Sequence, residues 1–306
     1  MPVDSEPDSG LDTDHPITGN HRPSVRRQKG VKGRRRALHL GRRTAQHLIL
    51  IFIVLAFFMP FVVMVTTAFK SPDEIFGSVL PKRWVLGNFA SALSSMPFLR
   101  YLANTLFLVI CNVGATLVSC PLVGYALAKL QWRGSRFVLA SVLVTMMVPA
   151  QVTFIPLYLL WNRLGLVGTY WPLIIPQVFG TPFYIFLMRQ FFLGVPTSLR
   201  EAGHIDGASE LRTYFTIMLP QAKAALATVA IFQFVATWTD FLLPLIYLNN
   251  SQDYTLSIGL FNFFNQHGVD WGPLMAACIY FTLPTVLVFM VAQRYFVSGI
   301  ATRGMK

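Results

Sequence analysis

Long runs of apolar residues, separated by short polar segments, dominate the chain from residue 48 onward. A transmembrane helix needs about 20 mainly apolar residues to cross about 30 Å of hydrocarbon. Segments of that length, uncharged except for Asp240 in the fifth, lie at 48–68, 101–128, 137–162, 164–188, 224–248 and 271–293. The pattern therefore predicts an all-α integral membrane protein with six transmembrane helices.

The basic residues between these segments predict how the chain is oriented. Cytoplasmic connections of membrane proteins carry an excess of Lys and Arg. With the N-terminus inside, 20 of the 25 Lys and Arg residues lie on the cytoplasmic side, in 1–46, 129–136, 189–223 and 294–306. We therefore expect both termini in the cytoplasm, with a six-span domain over residues 47–306.

Composition supports the membrane class and explains the charge. Hydrophobic residues make up 54% of the chain and charged residues 12%, against about a quarter charged in soluble domains. Much of the net charge of +12 comes from residues 1–46, a segment with too little apolar surface to fold alone. We expect this basic tail to be disordered and to contact anionic lipid, not nucleic acid, because no aromatic side chain interleaves its arginines.

Sequence signatures of catalysis and of metal binding are lacking. No Gly-x-x-x-x-Gly-Lys-[Ser/Thr] run and no Gly-x-Ser-x-Gly run occurs, and the six histidines are scattered. The three cysteines fall inside apolar segments, where they act as packing residues. We expect no catalytic residue, metal or cofactor in this chain, which is therefore not an enzyme by itself.

The fourth apolar segment is interrupted by helix-breaking residues. These are Gly165, Gly168, Pro172, Pro176, Gly180 and Pro182. Within lipid, breaks are tolerated only where protein or a water-filled cavity covers the freed backbone groups. The accumulation favours a pathway that opens and closes, although packing alone is an adequate explanation for any single proline.

Residues 196–220 form the one long polar stretch between spans, and local rules predict a helical hairpin. Ser198 and Glu201 have the spacing of a capping box, which predicts a helix start near residue 198. Gly207 accepts a positive φ and can end this helix. A second helix is expected from near Ala208 towards Pro220.

This stretch resembles the EAA loop of permease subunits of binding-protein-dependent ABC importers. That pattern reads Glu-Ala-Ala, three residues, Gly, nine residues, Ile-x-Leu-Pro, with Asp-Gly-Ala in carbohydrate-type members. The matching positions are Glu201, Ala202, Gly203, Asp206, Gly207, Ala208, Ile217, Leu219 and Pro220. Gly203 stands where alanine is usual, and since glycine costs a helix about 1 kcal/mol, we expect a looser loop.

Other segments resemble the maltose-type carbohydrate-uptake subfamily. They include Asn88-Phe89, Asn104-Thr105, Trp238-Thr239-Asp240-Phe241 and the ending at 293–299. The resemblance implies the type I ABC importer fold in the cytoplasmic membrane of a prokaryote. It also implies a second homologous permease, two ATPase subunits that bind ATP and Mg²⁺, and an extracytoplasmic solute-binding protein. The EAA helix would lie in a cleft of the ATPase, with Glu201 facing a basic residue.

The solute path is predicted to use Asp240, Trp238 and Tyr184. Asp240 is the single carboxylate within a span, and intramembrane charges are functional candidates by default. It bonds either a sugar hydroxyl or a structural neighbour. No Lys or Arg lies inside the spans, which favours a neutral solute such as a sugar.

The sequence leaves other functions open. The same machinery could carry glycerol phosphate or a polyol, with cationic residues supplied by the second permease. An ion-gradient carrier is disfavoured because Asp240 has no second ionisable group to relay a proton. A scaffold whose tail recruits partners explains neither the broken fourth span nor the hairpin.

Overall fold

A computed structural model describes the backbone of residues 26–261, 263–265 and 268–301, with side chains from residue 43 to residue 293 except near 262 and 265–267. The described chain is mostly helical. Its helices are α1 (Arg26–Ala68), α2 (Gly87–Ser94), α3 (Phe98–Lys129), α4 (Ser135–Met147), α5 (Ala150–Arg163), α6 (Trp171–Phe179), α7 (Pro182–Gly194), α8 (Thr197–Ile205), α9 (Glu210–Thr213), α10 (Leu219–Gln221), α11 (Lys223–Thr239), α12 (Leu242–Tyr247), α13 (Leu256–Phe261) and α14 (Trp271–Ala301). Strands β1 (Phe264–Asn265) and β2 (Gly268–Val269) form a small antiparallel pair.

Helix α1 begins at Arg26 and includes the described backbone of the basic tail. Arg, Lys, Ala and Leu are good helix formers, and the helix continues without a break into the apolar segment. Residues 1–25 of the predicted tail lie outside the described residues. The chain divides into units 1–60 and 61–306, and the apolar side chains of 48–59 in the first unit are exposed, as lipid contact requires.

Four described helical stretches are long and apolar enough to cross a membrane. They are Arg43–Ala68, Phe98–Lys129, Trp171–Gly194 and Trp271–Gln293. Two bent helix pairs, Ser135–Met147 with Ala150–Arg163 and Glu210–Gln221 with Lys223–Thr239, raise the number to six if each pair is one span.

The third and fourth predicted spans differ from continuous helices. The third bends by 105° between α4 and α5, where Val148 is extended because the ring of Pro149 excludes the helical conformation before it. The fourth begins at Trp171, not at residue 164, and breaks between α6 and α7 at Gly180, whose φ is +90°. Prolines at both helix starts explain these boundaries.

Helix α3 is the centre of the second unit and packs against α6, α7 and α11. It approaches α7 most closely at Gly124, where an added Cβ would lie 2.8 Å from the Cβ of Met188. Buried aromatic and aliphatic side chains fill this junction, among them Tyr125, Met188 and Phe192. The junction holds the ends of α3 and α7 together. The end of α7 leads directly into α8.

Candidate functional site

The predicted hairpin is present as α8, a turn and a second arm that runs from α9 through a π-helical segment, Tyr214–Met218, into α10. We call residues 196–221 the hairpin. Its turn is a Schellman motif. The amide of Gly207 donates to the carbonyl of His204 at 3.0 Å, and the amide of Ala208 donates to the carbonyl of Gly203 at 2.9 Å. Gly207 has a φ of +76°, so its predicted role as the helix terminator is confirmed.

The predicted caps of the two arms differ from the structure. Helix α8 begins at Thr197 after Pro196 and has no side-chain cap, so the capping box of Ser198 with Glu201 was wrong. Pro196 occupies the N-cap position, so Ser198 lies inside the helix, two residues beyond the position from which a hydroxyl could cap it. The second arm begins at Glu210, not at Ala208, because the hydroxyl of Ser209 accepts from the amide of Arg212 at 3.4 Å.

Gly203 makes the hairpin tight, contrary to the looser loop expected from its helix propensity. It is buried, and an added Cβ would lie 2.9 Å from Cδ1 of Ile217 and 3.0 Å from Oγ1 of Thr213. The absence of a side chain therefore lets α8 lie directly on the second arm. Packing outweighs propensity at this position.

Glu210 is the polar centre of the hairpin. Arg200 donates from Nε to Oε1 at 2.9 Å and from Nη2 to Oε2 at 2.8 Å, and Nε2 of His204 lies 2.8 Å from Oε2. The hydroxyl of Tyr125 on α3 donates to Oε1 as well. Hydrogen bonds from Arg200 hold the pKa of Glu210 down at about 2, and the same bonds raise the pKa of Arg200. One carboxylate thus joins both arms to α3.

Sequence reasoning missed Glu210 and its partners. Arg200 and Glu210 lie on the two arms of the predicted turn, so the sequence could have indicated an ion pair between them across that turn. Tyr125 gave no signal, because it is 85 residues away along the chain.

Glu201 lies beside this network but takes no part in it. Its side chain is exposed and makes no hydrogen bond or ion pair with the described residues. Ala202 and Asp206 are exposed next to it, whereas Ala208 is half-buried. The hairpin therefore presents an exposed surface that is acidic and has small side chains. The hydrogen bonds of Glu210 hold the hairpin in place.

The end of the second arm leads into α11. Leu219 packs against the buried cluster around Tyr214 and Met218, and Pro220 is exposed. Lys129 at the end of α3 donates to the carbonyl of Val195 at 2.5 Å, just before the first arm. The hairpin is thus held at both of its ends and at its centre.

A second candidate site is a cavity of about 260 Å³ in the middle of the helical bundle. Its polar lining consists of Asn112, Gln177, Thr181, Tyr184, Gln233, Thr237 and Asp240. The cavity lies where the α6–α7 break and the α11–α12 break come together. Of the three residues predicted for the solute path, Tyr184 and Asp240 line it.

Asp240 ends α11 and caps α12. Its Oδ1 accepts from the amide of Leu243 at 3.2 Å, and its backbone carbonyl accepts from the hydroxyl of Ser257 at 2.6 Å. The carboxylate of Asp240 is thus engaged with the backbone at the start of α12.

Trp238 does not line this cavity. It is 1% exposed, its indole N–H donates to the carbonyl of Phe281 at 2.9 Å, and its ring stacks on Phe234 with centroids 5.6 Å apart. The ring packs α11 against α14, and its place in the solute path stays a prediction. Residues two positions apart on a helix point in different directions, so Asp240 and Trp238 have different neighbours.

Comparison with known proteins identifies the family of the chain. Residues 121–302 match the family described as binding-protein-dependent transport system inner membrane component. The chain belongs to this family. It is a multi-pass membrane permease of a binding-protein-dependent ABC importer and not an enzyme, and the resemblance drawn from its motifs is confirmed.

Relatives and solved structures agree with this family. The chain is 32% identical over 275 residues to the probable ABC transporter permease protein YurM of Bacillus subtilis, covering 89% of this chain and 91% of YurM. It is 31% identical to the arabinooligosaccharides transport system permease protein AraQ of Halalkalibacterium halodurans, covering 83% and 93%. A bacterial ABC transporter that imports the acidic polysaccharide alginate contains a chain of the same fold, with a TM-score of 0.73, 23% identity and coverage of 90% and 100%. The type I importer permease fold is therefore established for this chain.

Proposed function

We propose that this permease carries a neutral mono- or oligosaccharide into a prokaryotic cell through the cytoplasmic membrane. In this proposal an extracytoplasmic binding protein delivers the sugar, and a second homologous permease completes the path. Two ATPase subunits bind ATP and Mg²⁺ and hydrolyse the nucleotide. Six spans with both termini in the cytoplasm would place the hairpin on the ATPase side.

The observation that carries the proposal is the contrast between Glu201 and Glu210. Glu210 has three partners within the chain and fixes the hairpin, whereas Glu201 is exposed with none among the described residues. An exposed carboxylate on a rigid support suits a contact with a basic residue of another subunit, because little conformational entropy is lost on docking. We assign this contact to the ATPase, with Ala202, Gly203, Asp206, Gly207 and Ala208 shaping the surface around it.

Movement of the hairpin would reach the transport path through its covalent and packed connections. Its first arm follows α7 and its second arm leads into α11, which both line the cavity. Leu219 and Pro220 begin the short connection to α11. Inverting a 1:99 equilibrium between two states needs about 5.5 kcal/mol, and ATP-driven closure of the partner would supply it.

A neutral solute is favoured over glycerol phosphate. Among the described residues, the cavity lining includes no Lys or Arg, and Asp240 would repel an anion. A polyol remains compatible with the same lining, since it presents the same hydroxyl groups as a sugar.

Purification of the tagged chain in mild detergent, with mass spectrometry of what accompanies it, tests the assembly. We expect a P-loop ATPase and a second permease, and reconstituted complexes should take up sugar only with ATP and binding protein. A chain recovered alone that still transports without ATP would overturn the proposal. Direct binding of labelled neutral and acidic sugars then separates the substrate classes.

A further inference from the structure

The segment between α1 and α2, residues 69–86, exposes several large apolar side chains. Exposed fractions between 67% and 88% are found for Phe76, Val79, Leu80, Trp84 and Leu86. Single exposed apolar residues are ordinary on protein surfaces, but a concentration of them in one short segment marks a contact with another molecule or with a membrane. We call these five side chains the loop patch.

Hydrogen bonds within the segment hold it in a defined shape. The amide of Val85 donates to the carbonyl of Phe69 at 2.8 Å, which joins the two ends of the segment. The ammonium group of Lys70, a buried residue, donates to the carbonyl of Ser78 at 2.5 Å and fastens the middle. The exposure of the loop patch is therefore a property of an ordered segment.

Aromatic contacts place the loop patch at the ends of two apolar spans. The ring of Trp84 packs edge-on against Phe69, directly after α1, with centroids 5.1 Å apart. Phe76 meets Trp271, the first residue of α14, with centroids 6.4 Å apart. Trp271 is itself exposed, as is Val65 in the last turn of α1. The exposed apolar surface of both spans therefore continues onto the loop patch.

Two cations border the loop patch. Lys82 and Arg83 are exposed, and their side chains have no hydrogen bond or ion pair in the part of the chain that the structure describes. Lys and Arg next to Trp are typical of the boundary between hydrocarbon and water, where the ring lies among the headgroups and the cations reach their phosphates. The order Lys82-Arg83-Trp84 has this composition.

A bilayer surface explains the loop patch better than an intermittent protein partner does. A binding protein that delivers its solute and departs would leave five large apolar side chains in water between visits, which is unfavourable in proportion to their area. A lipid leaflet covers the same side chains throughout. The two cations also complement the negative charge of the phosphates.

We propose that residues 69–86 lie in the membrane–water interface, with the loop patch among the upper acyl chains of a phospholipid leaflet and with Lys82 and Arg83 on its headgroup phosphates. The segment then anchors the adjoining ends of α1 and α14 at the depth of the headgroups. With both termini in the cytoplasm, as proposed above, this is the outer leaflet. The inference holds for any solute that the permease carries.

Fluorescence quenching by brominated phosphatidylcholine, with the complete transporter in nanodiscs, tests this location. The emission lost in Trp84→Phe isolates the contribution of Trp84, and phenylalanine can keep the contact with Phe69. We expect bromine near the headgroup end of the acyl chain to remove more than half of this contribution, and bromine at the far end of the chain to remove less. Trp238→Phe is the matched control, because Trp238 is buried and its emission should resist both lipids.

Lipid charge tests the role of the two cations. In bilayers with a small fraction of brominated lipid, phosphatidylglycerol should quench Trp84 more than phosphatidylcholine does. The double variant Lys82→Gln/Arg83→Gln should lose most of this preference, since one cation near an anionic surface favours anionic lipid about fivefold. Arg100→Gln removes an exposed cation at the start of α3 and should leave the preference unchanged. Equal quenching of the wild type by both lipids would refute the contact of the cations with phosphates.

Iodide in the water and an added binding protein identify other occupants of the loop patch. Quenching of Trp84 by iodide but not by brominated lipid would refute the interfacial location. If loaded binding protein then protected Trp84 from iodide, the loop patch would be a docking surface for that protein. Shielding of Trp84 from both quenchers before the binding protein is added would assign the loop patch to a contact with another subunit. Each of these three results overturns the proposal.

Discussion

The hydroxyl of Tyr125 on α3 donates a hydrogen bond to Oε1 of Glu210 on the hairpin. In sequence, the hairpin joins α7 to α11. Its bond to Tyr125 connects it to a third helix, α3. Helix α3 also packs against α6, α7 and α11. A displacement of the hairpin is therefore transmitted to the centre of the bundle and not only along α7 and α11.

Glu210→Gln should loosen this connection and weaken coupling. The amide keeps the shape of the carboxylate but loses the charge that Arg200 and His204 face, and it cannot accept the same paired bonds. The side chains of Arg200 and Glu210 each keep 29% of their surface exposed, so screening limits the loss to about 1–2 kcal/mol. We expect lower thermal stability and less ATPase stimulation by loaded binding protein in reconstituted complexes.

Acidification should reproduce this loss in the wild type. The pKa of Glu210 is lowered from 4.5 to about 2, so its stabilising contribution is complete above about pH 4.5 and is lost as the pH falls towards 2. The stability difference between wild type and Glu210→Gln should shrink over that range. A difference independent of pH would contradict the ion-pair explanation.

Glu201→Lys should abolish coupled uptake while membrane insertion stays normal. The side chain is exposed and makes no hydrogen bond or ion pair with the described residues, so we expect the substitution to leave the fold intact. At a docking surface, however, it would replace attraction with like-charge repulsion, which costs several kcal/mol. Uptake assays and co-purification of the ATPase measure the effect, and Asp73→Lys is a control for charge reversal elsewhere. Full transport by Glu201→Lys would exclude Glu201 from the coupling contact.

Gly203→Ala should destabilise the hairpin by about 1 kcal/mol, although alanine is the better helix former. The propensity gain of about 1 kcal/mol is opposed by an overpacking cost of about 1–3 kcal/mol. The added Cβ would meet buried Thr213 and the end of Ile217. Ile217→Val removes the nearest atom, so the double variant should recover much of the loss in thermal unfolding. Additive losses in the two single variants would show that the contact is not the cause.

Trp238→Phe should lower stability by about 1–2 kcal/mol without changing sugar affinity. The substitution removes the bond to the Phe281 carbonyl and part of a buried ring, both of which hold α11 against α14. Thermal unfolding and arabinotriose binding give the two readouts. A drop in affinity with unchanged stability would return Trp238 to the solute path.

Local rules were sufficient for the parts of this protein that depend on neighbouring residues. Apolar length predicted the four helical stretches that are long enough to cross a membrane, and Gly207 predicted the turn of the hairpin. The bond of Glu210 to Tyr125 could not be predicted because the two residues are 85 positions apart, and neither could the bond of Asn112 to Thr237, which are 125 positions apart. The position of Trp238 outside the cavity could not be predicted for a related reason: packing decides which face of α11 meets the cavity, and an aromatic residue suits both faces.

Two spans are interrupted at the wall of one cavity, at Gly180 and at Asp240. In an ordinary transmembrane helix, amide protons exchange with solvent most slowly at mid-membrane, where the backbone is fully bonded and dry. Here the backbone is opened inside two apolar segments, beside a polar space. Deuterium should therefore enter these two segments at Gly180 and at Asp240 before it enters the helical parts on either side.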